Sequence, residues 1–257
     1  ARQMFTDSYA PAEWSFSTYM RPFISAGSGV GAADDAGEHH AVEEVLWAMM
    51  VGDASYSSFD FTGFTRDTSD LDITFANSNK TTLGTADIFF VMGGASGGTK
   101  TTYKITDCVV NEASIDFDID GIATINWSGF GKIITEEATA PTATITEGAS
   151  SSDTSNFIRN RLTSLTATTA MGGNHPSEYS LVLTGGNVTI SNNITFLTPE
   201  TLGVVNQPLG HVTGTRSVSG NFTCYLNAAE DSSAELFENI IEDTDKITND
   251  FTLLFKV

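Results

Sequence analysis

Carboxylates recur at every second position in the stretch SIDFDIDG, residues 114–121. Asp116, Asp118 and Asp120 alternate there with apolar residues. Because successive side chains of a β-strand point to opposite faces, the three carboxylates share one face. An exposed strand tolerates polar residues of any kind, so three identical acids in register indicate a role beyond solubility.

The residues best suited to acid–base chemistry do not form a recognisable site. Glu38, His39 and His40 stand at a predicted helix start and could ligate a metal, but adjacent helical residues point about 100° apart and no HExxH-type spacing follows. We therefore expect them in a polar first turn exposed to water. His175 precedes a proline and His211 lies in a glycine-flanked turn, and both positions are typical of loops. We predict no catalytic residues and no enzymatic activity.

Metal and cofactor sites are equally unsupported. The pairs Asp34–Asp35 and Glu136–Glu137 lack the spaced ligands of a calcium loop. The stretch GSGVG at 27–31 lacks the GK[ST] ending of a phosphate loop and precedes acidic residues. Cys108 and Cys224, the only cysteines, lie in separate strand-like segments and are interpreted as buried thiols of a reducing compartment. We predict no metal and no cofactor.

Composition narrows the classes of function. The 257 residues carry 12 lysines and arginines against 32 aspartates and glutamates, a formal net charge of -20. Such a chain repels phosphate, which argues against sequence-specific DNA binding. Hydrophobic residues make up 40% of the chain, which is globular, and no run approaches the roughly 18 apolar residues of a membrane span. The length suits either one large β domain or two smaller ones.

The elements that must position the aspartates are mainly strands. Period-2 alternation runs through most of the chain, for example in EWSFSTYMR at 13–21 and FTLLFKV at 251–257. Around the aspartate row, Asp120 and Gly121 suggest a turn. Keeping the apolar residues on one face requires a loop of odd length or one long strand. In either case Thr124, Asn126 and Ser128 continue the acidic face as a neutral one.

Two short segments have helical spacing. In the first, apolar residues recur three or four positions apart, which predicts an apolar face on a helix. Gly52 is a candidate C-terminal cap of this helix. The members of this face are Val42, Val45, Leu46 and Met49. In the second, Ser232 and Glu235 have capping-box spacing. Its predicted apolar stripe is Leu236, Phe237, Ile240 and Ile241.

Low-complexity sequence marks long loops. Residues 25–37 are rich in glycine and alanine, and residues of about 135–155 are nearly all small and polar. The second stretch cannot fill a core, and strand-like sequence of the same character continues on both sides. We therefore predict a single domain over residues 1–257 with a surface insertion at about 135–155.

Several motifs together resemble one family. They are EWSFSTYMRPF at 13–23, VLWAMMVG at 45–52, IDFDIDGIATINWSGFG at 115–131, FIRNRLTSL at 157–165, NVTISNNITFLTPETLGVVNQPLG at 187–210 and GTRSVSGNFTCYL at 214–226. In this order they are similar to the tail tube, or major tail, proteins of long-tailed non-contractile bacteriophages. The chain starts at Ala1 and stops on a strand that the family would continue, which indicates a fragment of a longer chain.

The resemblance implies a mainly β subunit of sandwich or barrel type with one or two short flanking helices and long loops. It implies hexameric rings stacked into a tube, assembled in the host cytoplasm with other tail proteins, through which double-stranded DNA passes on ejection. Asp116, Asp118 and Asp120 would then line the lumen, with the outer surface of the tube as the alternative. Arg21 and Arg216 would contact neighbouring subunits or form internal salt bridges. A non-catalytic carbohydrate-binding or adhesive β-sandwich is the alternative function.

Overall fold

The fold was analysed in a computed structural model of the chain. The structure describes residues 8–24, 37–52, 64–69, 71–75, 80–93, 101–139, 141, 158, 160, 164–169, 175–202, 205–242 and 251–256. The strands are β1 (Ala12–Tyr19), β2 (Pro22–Ile24), β3 (His39–Ala41), β4 (Phe64–Arg66), β5 (Leu71–Ile73), β6 (Ala86–Met92), β7 (Thr101–Asp118), β8 (Thr124–Gly131), β9 (Ile134–Glu137), β10 (Ser164–Thr169), β11 (Glu178–Leu181), β12 (Leu183–Ser191), β13 (Ile194–Leu197), β14 (Gly210–Thr213), β15 (Ser217–Cys224) and β16 (Phe251–Lys256). The helices are α1 (Glu44–Val51) and α2 (Ser233–Glu242). The predicted mainly β fold with short helices is confirmed.

The largest sheet is built around β7. Its hydrogen-bonded order is β1-β8-β7-β12-β15, and β6 and β9 also pair with β7. With 18 residues, β7 is long enough to carry different neighbours along its length. Its first part pairs antiparallel with β6 and with β9, from Thr101 to Cys108 and from Thr102 to Ile105 respectively. The sheet is open, so a closed barrel is not formed within the described chain.

The remaining strands form small antiparallel sheets. One has three strands in the order β11-β10-β16, and the pairs β2-β3, β4-β5 and β13-β14 have two strands each. The three-stranded sheet has a continuous register from Ser164↔Lys256 to Thr169↔Phe251. Short two-stranded ribbons are marginal by themselves, so these pairs depend on packing against other elements.

The chain forms two compact units. Unit 1 contains residues 1–114, 125–156 and 189–218, and unit 2 contains residues 115–124, 157–188 and 219–257. The predicted single domain over residues 1–257 stays a prediction.

The core of unit 1 is aromatic and aliphatic. The rings of Trp47 and Trp127 meet edge to face with centroids 4.7 Å apart, a favourable arrangement for aromatic pairs. Leu83, Val109 and Ile194 form a further buried cluster. Gly129 is also buried, and a Cβ atom at this position would lie 2.0 Å from the Val109 carbonyl oxygen. Strand β8 can therefore approach its neighbours only with glycine at this position.

The core of unit 2 lies between its small sheet and α2. Ala167 and Tyr179 are buried, and Leu236 and Ile240 of α2 pack against them. The Asn239 amide donates a hydrogen bond of 2.7 Å to the Tyr179 hydroxyl, so the two polar groups of this interface satisfy each other. The predicted stripe of α2 is thus half correct, because Phe237 and Ile241 are exposed.

The predicted face of α1 is only partly correct. Met49 is buried and Leu46 half-buried, but Val42 precedes the helix and is exposed, as is Val45. Residues outside the predicted face, such as Trp47 and Met50, are buried as well. The segment is apolar on nearly every side, so its periodicity selects no face and the tertiary packing decides. The predicted cap is confirmed, since Gly52 has φ of 105° and donates from its N–H to the Ala48 carbonyl at 3.3 Å.

The predicted exposed first turn at His39 and His40 is also wrong. Both residues belong to β3, where His40 is only 1% exposed and pairs with Phe23 of β2. The imidazole stacks on the Phe23 ring, and its Nδ1 lies 3.0 Å from Oε2 of Glu44. Strand pairing therefore buries His40, whose polarity suggested a surface position, while His39 stays half-buried.

The predicted insertion at about 135–155 begins with regular structure. Thr135, Glu136 and Glu137 belong to β9, which pairs with β7. Residues 140 and 142–155 lie outside the described residues, as do 25–36 of the other glycine-rich stretch. Composition could not show that β9 belongs to a sheet, and the insertion at about 135–155 stays a prediction.

Candidate functional site

The aspartate row lies at the end of β7 and in the turn that follows. Asp116, Asp118 and Asp120 are all exposed, whereas Phe117 between them is 7% exposed. Residues 119–123 connect β7 to β8. This loop has an odd number of residues, which is one of the two arrangements predicted to keep the apolar residues on one face. Ile119 turns outward with 41% exposure because the strand has already ended at Asp118. The three carboxylates thus form a solvated acidic face.

The turn after β7 is held by backbone hydrogen bonds. Gly121 donates to the Asp118 carbonyl at 3.1 Å, and Asn160 donates from its backbone N–H to the Gly121 carbonyl at 3.1 Å. Ala123 donates to the Ile158 carbonyl at 2.9 Å. Asp120 is therefore carried by a turn with defined partners.

Strand β8 continues the alternation with neutral residues. Asn126 is exposed, whereas Thr124 and Ser128 are half-buried. The Asn126 side-chain oxygen accepts a hydrogen bond of 2.6 Å from the Ser17 hydroxyl of β1. On the opposite face, Trp127 is buried and its indole N–H donates to Thr18 at 2.8 Å.

Arg216 binds the C-terminal end of α1. Its guanidinium donates to the Met50 carbonyl at 2.8 Å and to the Val51 carbonyl, and Nε donates to the Asn192 side-chain oxygen at 2.7 Å. The last carbonyls of a helix have no partner within the helix and carry partial negative charge, so a cation stabilises them. Burial lowers the pKa of Arg216 below its usual value. These described partners lie within the same subunit, as the prediction of an internal salt bridge required. They are carbonyl and amide oxygens, however, and not carboxylates.

Asn192 completes this polar cluster. It is fully buried, and its amide donates to the Met50 carbonyl at 3.0 Å and to the Val110 carbonyl at 3.1 Å. Sequence analysis missed this residue, because an asparagine between two strands looks like an ordinary turn residue. Only the contact between α1 and β7 shows that it joins the two elements.

Arg21 lies beside a buried carboxyl group that sequence analysis also missed. The Arg21 backbone N–H donates to Glu43 Oε2 at 3.4 Å, and the Glu43 side chain is almost fully buried. Burial raises the pKa of Glu43 to about 7, and the nearby Arg21 charge only partly opposes this effect. Two glutamates that follow two histidines resemble a surface segment, so no sequence signal indicated that Glu43 is buried.

The interpretation of both cysteines as buried thiols is confirmed in part. Cys108 is fully buried, and burial raises its pKa to about 11. Cys224 is half-buried. Both are free thiols.

No metal-binding group emerges in the described part of the chain. Its histidines, cysteines and acids nowhere form a group of three or more that could hold a metal ion. A cavity of about 270 Å³ in unit 2 is lined by apolar residues together with Asp118, Asn160, Ser164 and Thr184. A cavity of about 300 Å³ in unit 1 lies beside Trp14 and Ser128. Among the described helices, none is long and apolar enough to cross a bilayer.

The described chain is mainly β and presents an exposed row of carboxylates. The family model for phage tail tube proteins matches residues 17–254. The chain belongs to this family of structural virion proteins.

A curated relative supports the same assignment. The chain is 29% identical over 253 residues to tail tube protein pb6 of Escherichia phage T5, a match that covers 97% of this chain and 51% of that protein. The chain thus spans about half the length of the relative it matches.

Proposed function

We propose that copies of this chain form the tube of a phage tail, as hexameric rings stacked around a channel for double-stranded DNA. The subunits assemble in the host bacterial cytoplasm, together with other tail proteins, and act without catalysis. Family membership over residues 17–254 is the observation that carries this proposal. The mainly β architecture with open sheet edges supports it, because free edges can pair between copies.

The size of such a ring suits DNA. About 24 strands in a hexameric ring, spaced about 4.8 Å apart and tilted near 40°, would close at a diameter of about 45 to 50 Å. After side chains are subtracted, a duplex fits through the channel.

The lumen surface in this proposal is the face of Asp116, Asp118 and Asp120, continued by Thr124, Asn126 and Ser128. Each lysine or arginine on such a wall would release counterions from DNA and add a binding step. Carboxylates repel phosphate, so DNA slides past without adhering. The exposure of all three aspartates supports this assignment over a structural role inside the subunit.

Arg21 and Arg216 are the proposed subunit contacts. A guanidinium has five N–H donors, so Arg216 can keep its bonds to α1 and also face a neighbouring copy. Arg21 is half-buried, so part of its side chain reaches the surface.

Electron microscopy of the purified protein tests the assembly. Rings and hollow tubes with a stain-filled channel are expected. Persistent monomers in a chain extended to the full length of its relatives would refute a tube and favour a binding module.

Ejection kinetics test the lumen. Phage carrying D116K, D118K and D120K together should assemble normal tails and eject DNA more slowly, and lower salt should strengthen the effect. The matched control replaces the exposed Glu136, Glu178 and Glu200 by lysine, which changes the net charge equally. Wild-type ejection by the aspartate variant would exclude the lumen assignment and leave the tube itself intact.

A further inference from the structure

Three strands of the largest sheet carry the pattern Asn-x-Ser/Thr. The triplets begin at Asn126 in β8, at Asn187 in β12 and at Asn221 in β15. Asparagine is depleted in β-strands, so its recurrence on three of them requires a reason. Because residues i and i+2 of a strand share a face, each triplet places an amide beside a hydroxyl. The pattern therefore builds neutral, hydrogen-bonding faces into the sheet.

Two of these asparagines face each other across neighbouring strands of unit 2. The Asn221 amide donates to the Asn187 side-chain oxygen at 3.0 Å, and β12 and β15 are hydrogen-bonded neighbours. The two side chains therefore lie on the same face of the sheet. Asn221 is exposed and Asn187 is half-buried, so this face meets solvent. We call Asn187 and Asn221 the amide pair.

The register between β7 and β12 places the amide pair beside the aspartate row. The Ser114 and Thr189 hydroxyls lie 3.0 Å apart, and a Cβ atom on Gly185 would lie 3.2 Å from the Phe117 carbonyl oxygen. A step forward on β7 thus corresponds to a step back on β12, as in antiparallel strands. Asp116 stands two residues after Ser114, and the β12 member of the amide pair stands two residues before Thr189. The amide pair therefore continues the face of Asp116.

The strand segments around the amide pair carry no charge apart from Asp116 and Asp118. In unit 2 they read IDFD at 115–118, LTGGNV at 183–188 and SGNFTC at 219–224. Such a surface offers phosphate no cation, so contact with DNA releases no counterions. Carboxylates directly opposite each other on adjacent strands would be destabilising, and amides avoid this repulsion. Asparagine thus keeps the surface non-adhesive at positions where further aspartates would repel Asp116.

We propose that the amide pair belongs to the DNA-facing wall of the tube and extends this wall from β7 over β12 and β15. The proposal rests on the proposed function, because it requires a channel lined by the aspartate face. It adds two strands of each copy to the surface that meets the duplex and assigns them a neutral character. DNA then passes over carboxylates that repel phosphate and over amides that bind no counterion.

Lysine and aspartate variants in phage test what the amide pair does. N187K/N221K should leave tails intact and slow DNA ejection by about threefold or more at low salt, since each added cation that meets phosphate adds a counterion-releasing contact. N187D/N221D adds charge of the opposite sign and should eject no more slowly than wild type. The control T201K/Q207K adds two lysines at exposed positions of the β13–β14 loop and should eject normally. Wild-type ejection by N187K/N221K, or equal slowing by N187D/N221D, would overturn the proposal.

Thiol labelling of assembled tubes locates the amide pair without adding charge. N221C/C224S carries one accessible cysteine, because Cys108 is fully buried. In tubes, a small maleimide should label position 221, whereas a maleimide on a polymer wider than the channel should label only unassembled subunits. Labelling of tubes by both reagents would indicate the outer surface, and labelling by neither would indicate a subunit contact. Either result would overturn the proposal.

The same labelling at the aspartate row separates this inference from the proposed function. D118C/C224S should show the same pattern as N221C/C224S. If the polymer reagent reaches position 221 in tubes but not position 118, the aspartate lumen stands and the extension over β12 and β15 is wrong. Wild-type protein of full length that forms no tube would instead refute the proposed function, and this inference with it.

Discussion

Replacing the buried Glu43 by glutamine should make the stability of the fold less dependent on pH. The carboxyl group is 4% exposed, and its Oε1 is buried without a hydrogen-bond partner among the described residues. Burial raises its pKa from the ordinary value of 4.5 to about 7. The folded protein therefore holds the proton more tightly than the unfolded chain does.

The sign of the effect follows from this difference. Below pH 4.5 the carboxyl group is protonated in both states, and its stability contribution is fully present. As the pH rises from 4.5 through about 7, the unfolded chain ionises freely, whereas the folded state either keeps the proton or loses it and carries a buried charge, so stability is lost. A pKa difference of this size corresponds to about 3 kcal/mol, since each pH unit is worth about 1.4 kcal/mol. Glutamine cannot ionise, so E43Q avoids this loss.

Urea unfolding of monomeric protein at pH 4.5, 6, 7 and 8, followed by tryptophan fluorescence, measures the effect. The free energy of unfolding of E43Q relative to wild type should rise by about 3 kcal/mol between pH 4.5 and 8. The control E136Q changes an exposed glutamate and should run parallel to wild type. Parallel profiles for E43Q and wild type would show that Glu43 is not the buried acid described above.

Two further substitutions test the core of unit 1. R216M removes the hydrogen bonds to the α1 carbonyls and to Asn192, and should lower the free energy of unfolding by about 2 to 3 kcal/mol in urea titrations; a loss below about 0.5 kcal/mol would contradict the capping role. G129A places a Cβ 2.0 Å from the Val109 carbonyl oxygen and 2.4 Å from the Trp14 ring, so differential scanning calorimetry should show a markedly lower Tm; an unchanged Tm would mean that β8 shifts freely.

The alternation of side chains in strands and the backbone freedom of glycine were sufficient to predict some local structure from the sequence. The period of two around Asp116, Asp118 and Asp120 predicted a solvated face, because in a strand the side-chain direction is set by the backbone alone. Gly52 was predictable as a helix cap for a similar local reason, since a left-handed residue costs little only without a Cβ. The ordered motifs also predicted the family that the comparison over residues 17–254 shows.

Burial of polar residues depended on the tertiary structure. His40 was expected in an exposed turn, and Glu43 and Asn192 were not singled out at all, but strand pairing and the docking of α1 enclose all three. Periodicity also failed where a segment is apolar on every side, as in α1, or where a helix has more apolar residues than its own unit can cover, as in α2. Sequence determines the faces that an element can present, whereas packing between distant segments decides which of them meets water and which meets the core.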